Sequence, residues 1–377
     1  MKILLTYAYA GVGHKKAAEA VKNALLTYND RLDLRIVDIL DYTNPVFKFL
    51  YPRMYLFLIN RTPLLWGFFY YLFDLRLVDK IVAPLRSFFH SLQAKRFIRF
   101  VLEEDPDVII STHFFSSEVV STLKRKKIFK GSLLTIITDF LPHYFWMARE
   151  SDTFIVAIER TKNDLIKRGI EEEKIKVLGI PCDPVFTISK DAGSLIEKLG
   201  LRKGFFNLLI MGGGFGTGPI EEIAAALCNM KPEIRDKIQL IVICGKNKNL
   251  FEKLDRKKLD LKVKLCVFGY MSNIDEFMEV SDCIITKSGG LTVSEALSKK
   301  LPMIIIQPIL GQEMRNCKIL TGYGTAVRAN KVGEIKDYIR DFIVYPEKIC
   351  GMKARINLLS YPNAAKDIAE FVAKGKP

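Results

Sequence analysis

The 377-residue chain lacks the features that mark several large classes of protein. No uncharged apolar stretch approaches the roughly eighteen residues of a membrane span. The longest in its most hydrophobic region, Thr62 to Phe73, has twelve residues. The seven cysteines stand singly at 182, 228, 244, 266, 283, 317 and 350, with no CxxC pair and no metal-ligand spacing. That excludes a disulfide scaffold and a zinc module, and buried free thiols in a reducing cytosol are expected. The opening MKILLTYAYAGVGH has no charged, apolar and small succession, so no cleaved leader is expected. A composition of 49% hydrophobic and 26% charged residues excludes a disordered or collagen-like chain.

What is present is an excess of basic residues and a repeating α/β pattern. The balance of 57 Lys+Arg against 42 Asp+Glu leaves a formal charge of +15, which favours a polyanionic partner: nucleic acid, an anionic membrane or a phosphorylated small molecule. Short apolar runs at Ile3 to Thr6, Leu34 to Asp38, Val108 to Ser111, Leu133 to Thr138 and Thr153 to Ala157 read as buried parallel strands. A second series follows at Asn207 to Met211, Ile238 to Cys244, Leu265 to Phe268, Cys283 to Thr286 and Met303 to Ile306. Strands buried on both faces need helices on each side, so the fold class is α/β, with two doubly wound Rossmann-like domains. Two prolines in Gly179-Ile180-Pro181-Cys182-Asp183-Pro184 mark the hinge, which sets domains at 1–185 and 186–355. The spacing of Ala364, Ala365, Ile368, Ala369 and Val372 predicts a helix within a 356–377 tail that closes back onto the first domain.

Residues 45–100 break the alternation. They hold 15 of the 41 aromatic residues and a charge of +7, from nine basic and two acidic side chains. A helical insert packed on the first domain is the plain reading. The mixture of rings and cations favours a membrane-surface segment instead, with Trp66, Phe68 and Phe69 meeting lipid. Lys124-Arg125-Lys126-Lys127 with Lys130 would add to the same face.

Glycine turns locate the chemistry. Strand one runs into Ala10-Gly11-Val12-Gly13-His14, with Ala17 and Ala18 letting the next helix lie close on the sheet, and His14 at the mouth of a ligand crevice. There His14 is able to take a proton; the plain alternative is a helix-capping or surface histidine. In the second domain, Gly212-Gly213-Gly214-Phe215-Gly216-Thr217-Gly218 makes an amide-lined nest suited to a diphosphate. Thr286-Lys287-Ser288-Gly289-Gly290 then joins a strand to a helix carrying Glu295, placed to clasp ribose hydroxyls. Two such turns in one sheet point to a nucleotide diphosphate.

In order along the chain, GVGHKKAAEA, TDFLPHYFW, GIPCDPVF, GGGFGTGPIEE, VFGYMSNIDEFM, KSGGLTVSEAL and GQEMRNCKIL resemble the bacterial diacylglycerol glucosyltransferases and the plant monogalactosyldiacylglycerol synthases. A more distant similarity is to the glycosyltransferase that completes lipid II. The resemblance implies a glycosyltransferase fold of the B type, with the acceptor in the first domain and the donor in the second. It implies that Glu295 binds the donor ribose, that Gly214, Phe215, Gly216 and Thr217 with Ser288, Gly289, Gly290, Leu291 and Thr292 hold the diphosphate, and that Gln312 and Glu313 contact the hexose. Uracil would rest near Phe268 and Met271. On the acceptor side it implies His14 as the base, with Asp139 and His143 as further catalytic candidates and Gly13 and Trp146 lining the acceptor. Asp183 stands where a basic residue is expected of relatives, and Val12 where a third glycine is.

The activity implied is inverting transfer of a hexose from UDP-glucose or UDP-galactose to diacylglycerol. The setting is the cytoplasmic face of the membrane, peripherally bound through anionic lipids, with no metal, no cofactor and no nucleic acid. Three alternatives stand beside it: a polyprenyl-linked acceptor, a non-catalytic UDP-sugar sensor, and a nicotinamide oxidoreductase using Gly11, Gly13 and Asp38. Lys16 occupies the third glycine position that the last of these needs.

Overall fold

In a computed structural model, residues 1–9, 11–257 and 262–375 are described; Ala10 of the first glycine turn lies outside them. The chain forms two compact units. One comprises Met1–Pro184, Ile309–Arg315 and Tyr361–Pro377, and the other Val185–Pro308 and Asn316–Ser360. The division after Pro184 falls one residue from the expected position, and the returning tail starts at Tyr361 rather than at 356. The short strap of residues 309–315, expected with the donor domain, belongs to the first unit.

The first unit is built on strands β1 (Lys2–Tyr7), β2 (Asp33–Asp38), β3 (Val108–Ser111), β4 (Ser132–Ile136), β5 (Thr153–Val156) and β6 (Ile175–Val177). They form one parallel sheet in the order β2-β1-β3-β4-β5-β6. One face packs Ile3, Leu5, Ile110 and Ile136 against Val21 and Leu25 of helix α1 (Val12–Tyr28) and against Ile368 and Val372 of the returning helix Ala364–Ala373. Leu4, Ile109 and Leu133 point the other way, onto Phe97, Phe115 and Val119. Period-two alternation with both faces apolar is what a parallel sheet needs, because helices cover each side.

The second unit repeats the design with β7 (Phe206–Met211), β8 (Ile238–Ile243), β9 (Lys264–Phe268), β10 (Cys283–Thr286), β11 (Met303–Ile306) and β12 (Ala326–Ala329), in the order β12-β11-β10-β7-β8-β9. All ten strands expected from the sequence are present; β6 and β12 were not foreseen. Each is short, lies at a sheet edge and carries a cation, Lys176 or Arg328, so its apolar pattern is too brief to read. None of the seven cysteines forms a disulfide, but Cys350 is exposed and Cys266 only half-buried, so burial is not general among them.

Residues 45–100 fold as helices α2 (Pro45–Arg61), α3 (Pro63–Phe73), α4 (Arg76–Gln93) and most of α5 (Lys95–Glu104). Helix α2 has no fully buried residue. Helix α4 is inverted relative to an ordinary surface helix. Its stripe Leu77, Ile81, Leu85 and Phe88 is 67 to 75% exposed, while Asp79, Ser87 and His90 face inward. The inner face is satisfied by α6 (Phe114–Arg125): Arg86 Nε donates to Glu118 at 3.0 Å, His90 Nδ1 lies 2.6 Å from the same carboxylate, and Ser87 meets Thr122 at 2.8 Å. Both acids of the segment are consumed internally, Asp79 by Arg86 and Asp74 by Arg168 and Arg315. Eight of its nine cations remain exposed, Arg86 being the exception. Trp66, expected at the surface with Phe68 and Phe69, is half-buried against the rings of Tyr55 and Tyr70. The basic run 124–127 ends a helix that starts at the carboxyl end of β3 and returns to the opposite end of the strands, where Lys124 is held by Gly131 O and Asp152.

Candidate active site

In an open parallel sheet, ligands bind at the carboxyl ends of the strands where the strand order reverses, because two neighbouring loops there diverge and leave a crevice. In the first unit that point lies between β1 and β3, and in the second between β7 and β10.

His14, in the first turn of α1 after β1, bridges the first switch point. Its Nδ1 is 2.8 Å from the carbonyl oxygen of Thr112, just beyond β3, and 3.1 Å from Thr138 Oγ1 beyond β4. A carbonyl only accepts, so Nδ1 carries the hydrogen and Nε2 keeps its lone pair. Thr112 Oγ1 donates back to the His14 carbonyl at 2.9 Å, which staples the first turn of the helix to the strand end. The His113 ring lies edge-on at 4.6 Å and Trp146 at 6.3 Å. Desolvation by these neighbours lowers the His14 pKa to about 4, against a smaller raising effect of the Thr112 carbonyl. The ring is therefore neutral at pH 7. The cap of α1 is Gly11, without a side-chain bond, so His14 does not cap that helix. Gly13 lies beside it in the first turn.

Two further histidines of the first unit, His113 and His143, are caps. His113 Nδ1 accepts from Phe115 N at 3.1 Å, and His143 Nδ1 accepts from Phe145 N at 3.0 Å. His143 Nε2 also donates to the carbonyl of Tyr70 at 2.8 Å, so both its nitrogens are engaged in a buried ring. Desolvation holds His143 neutral as well, with its pKa lowered to about 4. Asp139 follows Thr138, and its charge raises the pKa of Tyr55 and Tyr70, for both of which burial is the larger cause. Trp146 is buried in a wall with Ile137 and Phe154. Asp38, which a nicotinamide site would need, accepts from Leu40 N and Tyr9 N and caps the turn after β2.

The second unit has glycine turns of its own at the carboxyl ends of its strands. The 212–218 loop folds on itself through Thr217 N to Gly212 O and Gly216 N to Gly213 O, both 3.1 Å. Gly216 is in the left-handed region at φ 59°, and a Cβ there would sit 1.9 Å from the Cys244 carbonyl oxygen, so only glycine closes this turn. The helices Ile220–Cys228 and Gly290–Ser298, which follow β7 and β10, begin at Pro219 and Gly289 without side-chain caps. Their first amides thus provide positive helix ends for an anion. Lys287 Nζ donates to Thr217 Oγ1 at 3.1 Å, which joins the two turns and sets a cation between them. Ser288 is fully buried, its carbonyl accepting from Asn316 at 3.0 Å; Gly290, Leu291, Thr292 and Glu295 are half-buried along the first turns of the second helix. Phe268 and Met271 lie at the end of β9, two strands from β7, both half-buried.

Gln312 and Glu313 lie in the strap of residues 309–315, which belongs to the first unit. Glu313 accepts from Ile309 N at 2.8 Å, and Gln312 Nε2 donates to Tyr55 Oη at 2.7 Å. Sequence reasoning missed Lys287, Thr112, Thr138, Tyr55 and Asp74. For Lys287 a signal existed, a cation at the last position before a Ser-Gly-Gly turn; for the others, packing alone brings them to the site.

Residues 14–182 match the family model of monogalactosyldiacylglycerol (MGDG) synthase, and residues 207–316 that of the glycosyltransferase family 28 C-terminal domain. A processive diacylglycerol beta-glucosyltransferase of Bacillus cereus (strain ATCC 10987 / NRS 248) is 30% identical, covering 98% of this chain and 93% of the relative. One of Bacillus subtilis (strain 168) is 28% identical, covering 99% and 95%. Among solved structures, S. aureus MnaA with UDP superposes with a TM-score of 0.65 at 14% identity, over 100% of this chain and 98% of that one, a likeness of fold. With two Rossmann-like sheets of the expected kind, and a full-length relative at 30% identity, the chain belongs to the family of the diacylglycerol glucosyltransferases.

Proposed function

We propose that the chain transfers a glucosyl group from UDP-glucose to the free hydroxyl of diacylglycerol, with inversion at the anomeric carbon. The observation that carries this reading is the pinned His14: Nδ1–H held by the Thr112 carbonyl leaves Nε2 as the one ring nitrogen able to accept a proton. In this reading the acceptor hydroxyl attacks the anomeric carbon while its proton passes to Nε2, and the bond to the UDP oxygen breaks. Lys287 and the uncapped helix ends stabilise the charge that develops on the departing diphosphate, and Glu295 accepts from the ribose hydroxyls. Glucose is favoured over galactose by the names of the full-length relatives, and a single displacement on an α-linked donor gives the β linkage those names carry. Mass analysis of lipid products made with UDP-glucose and with UDP-galactose, on diacylglycerol and on a polyprenyl acceptor, tests donor and acceptor together. Product from the polyprenyl acceptor alone would overturn the lipid assignment.

The inverted helix α4 supports peripheral attachment to anionic lipid. No described helix is long and apolar enough to cross a membrane. An outward stripe of Leu77, Ile81, Leu85 and Phe88, in a segment whose acids are turned inward and whose cations are exposed, fits the boundary between headgroups and acyl chains. Changing Leu77, Ile81, Leu85 and Phe88 to Ser should abolish co-sedimentation with anionic vesicles and leave UDP affinity unchanged. Equal binding of wild type and variant to the vesicles would remove α4 from the lipid contact.

A further inference from the structure

The strap of residues 309–315 is held against the aromatic helices α2 and α3 by contacts of four kinds. Gly67 of α3 lies so close to it that a Cβ there would be 3.0 Å from Leu310 Cβ. Gly311, at φ 102°, passes over the ring of Tyr70, where a Cβ would stand 2.8 Å from the ring. Arg315 donates to Asp74, at the end of α3, and at 3.2 Å to the Pro142 carbonyl. Asp74 is a fixed anchor, since its carboxylate also takes Tyr144 N at 2.8 Å and Arg168 at 2.7 Å. Finally, Tyr55 Oη of α2 takes the Gln312 amide at 2.7 Å.

Two polar atoms at this contact, Trp66 Nε1 and Gln312 Oε1, are buried without a hydrogen-bond partner. One is a donor and the other an acceptor, and a hydroxyl group offers both functions. Unpaired buried polar atoms cost stability, so the contact between the strap and the aromatic helices is not optimised for packing alone.

We infer that Tyr55 is a positioning residue for recognition of the donor sugar: its hydroxyl orients the Gln312 amide, so that helices α2 and α3 set the affinity for the hexose part of the donor. This rests on the reading of Gln312 as a hexose contact. The effect belongs to the sugar and not to the nucleotide, because the nucleotide-facing turns follow β7, β9 and β10 of the other unit.

The test is titration of the full chain with UDP-glucose and, separately, with UDP. Tyr55→Phe removes one hydrogen bond and keeps the ring. It should raise the UDP-glucose dissociation constant about fivefold to tenfold, the range expected for a lost hydrogen bond that leaves a polar group unpaired, with UDP affinity unchanged. Gly67→Ala should act in the same direction by pushing Leu310 and the strap outward, and alanine suits a helix interior better than glycine, so the variant folds. Loss of UDP and UDP-glucose affinity in equal measure would mark a structural role and overturn the inference. So would unchanged UDP-glucose affinity in both variants. Gln312→Ala separates the two layers: if it weakens UDP-glucose and Tyr55→Phe does not, the positioning role alone falls. If Gln312→Ala leaves UDP-glucose affinity intact, the hexose reading falls and takes the inference with it.

Discussion

Replacing His14 by alanine is expected to lower turnover about a hundredfold or more, the usual scale of general-base assistance, while UDP affinity stays within about a factor of two. The expectation comes from the tautomer. With Nδ1–H donated to Thr112 O, proton transfer falls to Nε2 alone, and alanine removes it. The glycine turns proposed to hold the nucleotide belong to the other unit, so UDP affinity serves as the control. The pH dependence supplies an independent check. Because burial lowers the His14 pKa to about 4, the base stays unprotonated well below the ordinary histidine range. The acid limb of kcat/KM in wild type should therefore fall near pH 4 to 5 rather than near 6.5. Turnover, UDP affinity and melting temperature measured on one preparation separate the roles, since a merely structural histidine would lose all three together. Retention of more than about a third of wild-type turnover, far short of the loss expected of a base, would move the assignment to Asp139.

The second large effect concerns the nucleotide. Lys287→Met should raise the UDP dissociation constant at least about tenfold, corresponding to roughly 1.4 kcal/mol for a charge-assisted contact with the diphosphate. Uridine, which has no phosphate, should bind the variant as it binds wild type. Glu295→Ala should instead weaken UDP and uridine alike, by at least about tenfold, because the ribose is common to both. The pair of ligands distinguishes the two side chains even though both flank the same turn. A Lys287 variant that weakens uridine as much as UDP would show that the cation organises the 212–218 loop through Thr217 rather than meeting phosphate. An unchanged UDP affinity in a folded Glu295 variant would take that carboxylate out of the site.

Much of the candidate site is legible in the sequence. Gly11, Gly13, the 212–218 run and the 288–290 turn stand out as glycine clusters between a strand and a helix, although of these only Gly213, Gly216 and Gly218 adopt a positive φ. His14 was visible for the same reason, being next to such a turn. Its tautomer was not: Thr112 is 98 residues away and Thr138 124, and nothing in local spacing pairs them. His143 looked as eligible as His14, yet the fold spends both its nitrogens on backbone partners, one of them 73 residues distant. Trp66 read as a lipid-facing ring by composition and is turned inward instead, because α3 presents Phe68 and Phe69 to the outside while Trp66 packs on Tyr55 and Tyr70.

Local pattern was sufficient for ten of the twelve strands, the division near Pro184 and the glycine turns after β7 and β10, since apolar runs and glycine positions act over a few residues. The inversion of α4, the internal pairing of Asp74 and Asp79, and the attachment of residues 309–315 to the first unit were decided by packing in three dimensions. Each depends on partners far apart in the chain, Arg315 reaching Asp74 across 241 residues and Gln312 reaching Tyr55 across 257. Contacts of that separation form only once the sheets are assembled, and a linear pattern carries no record of which surfaces the assembled elements turn toward one another.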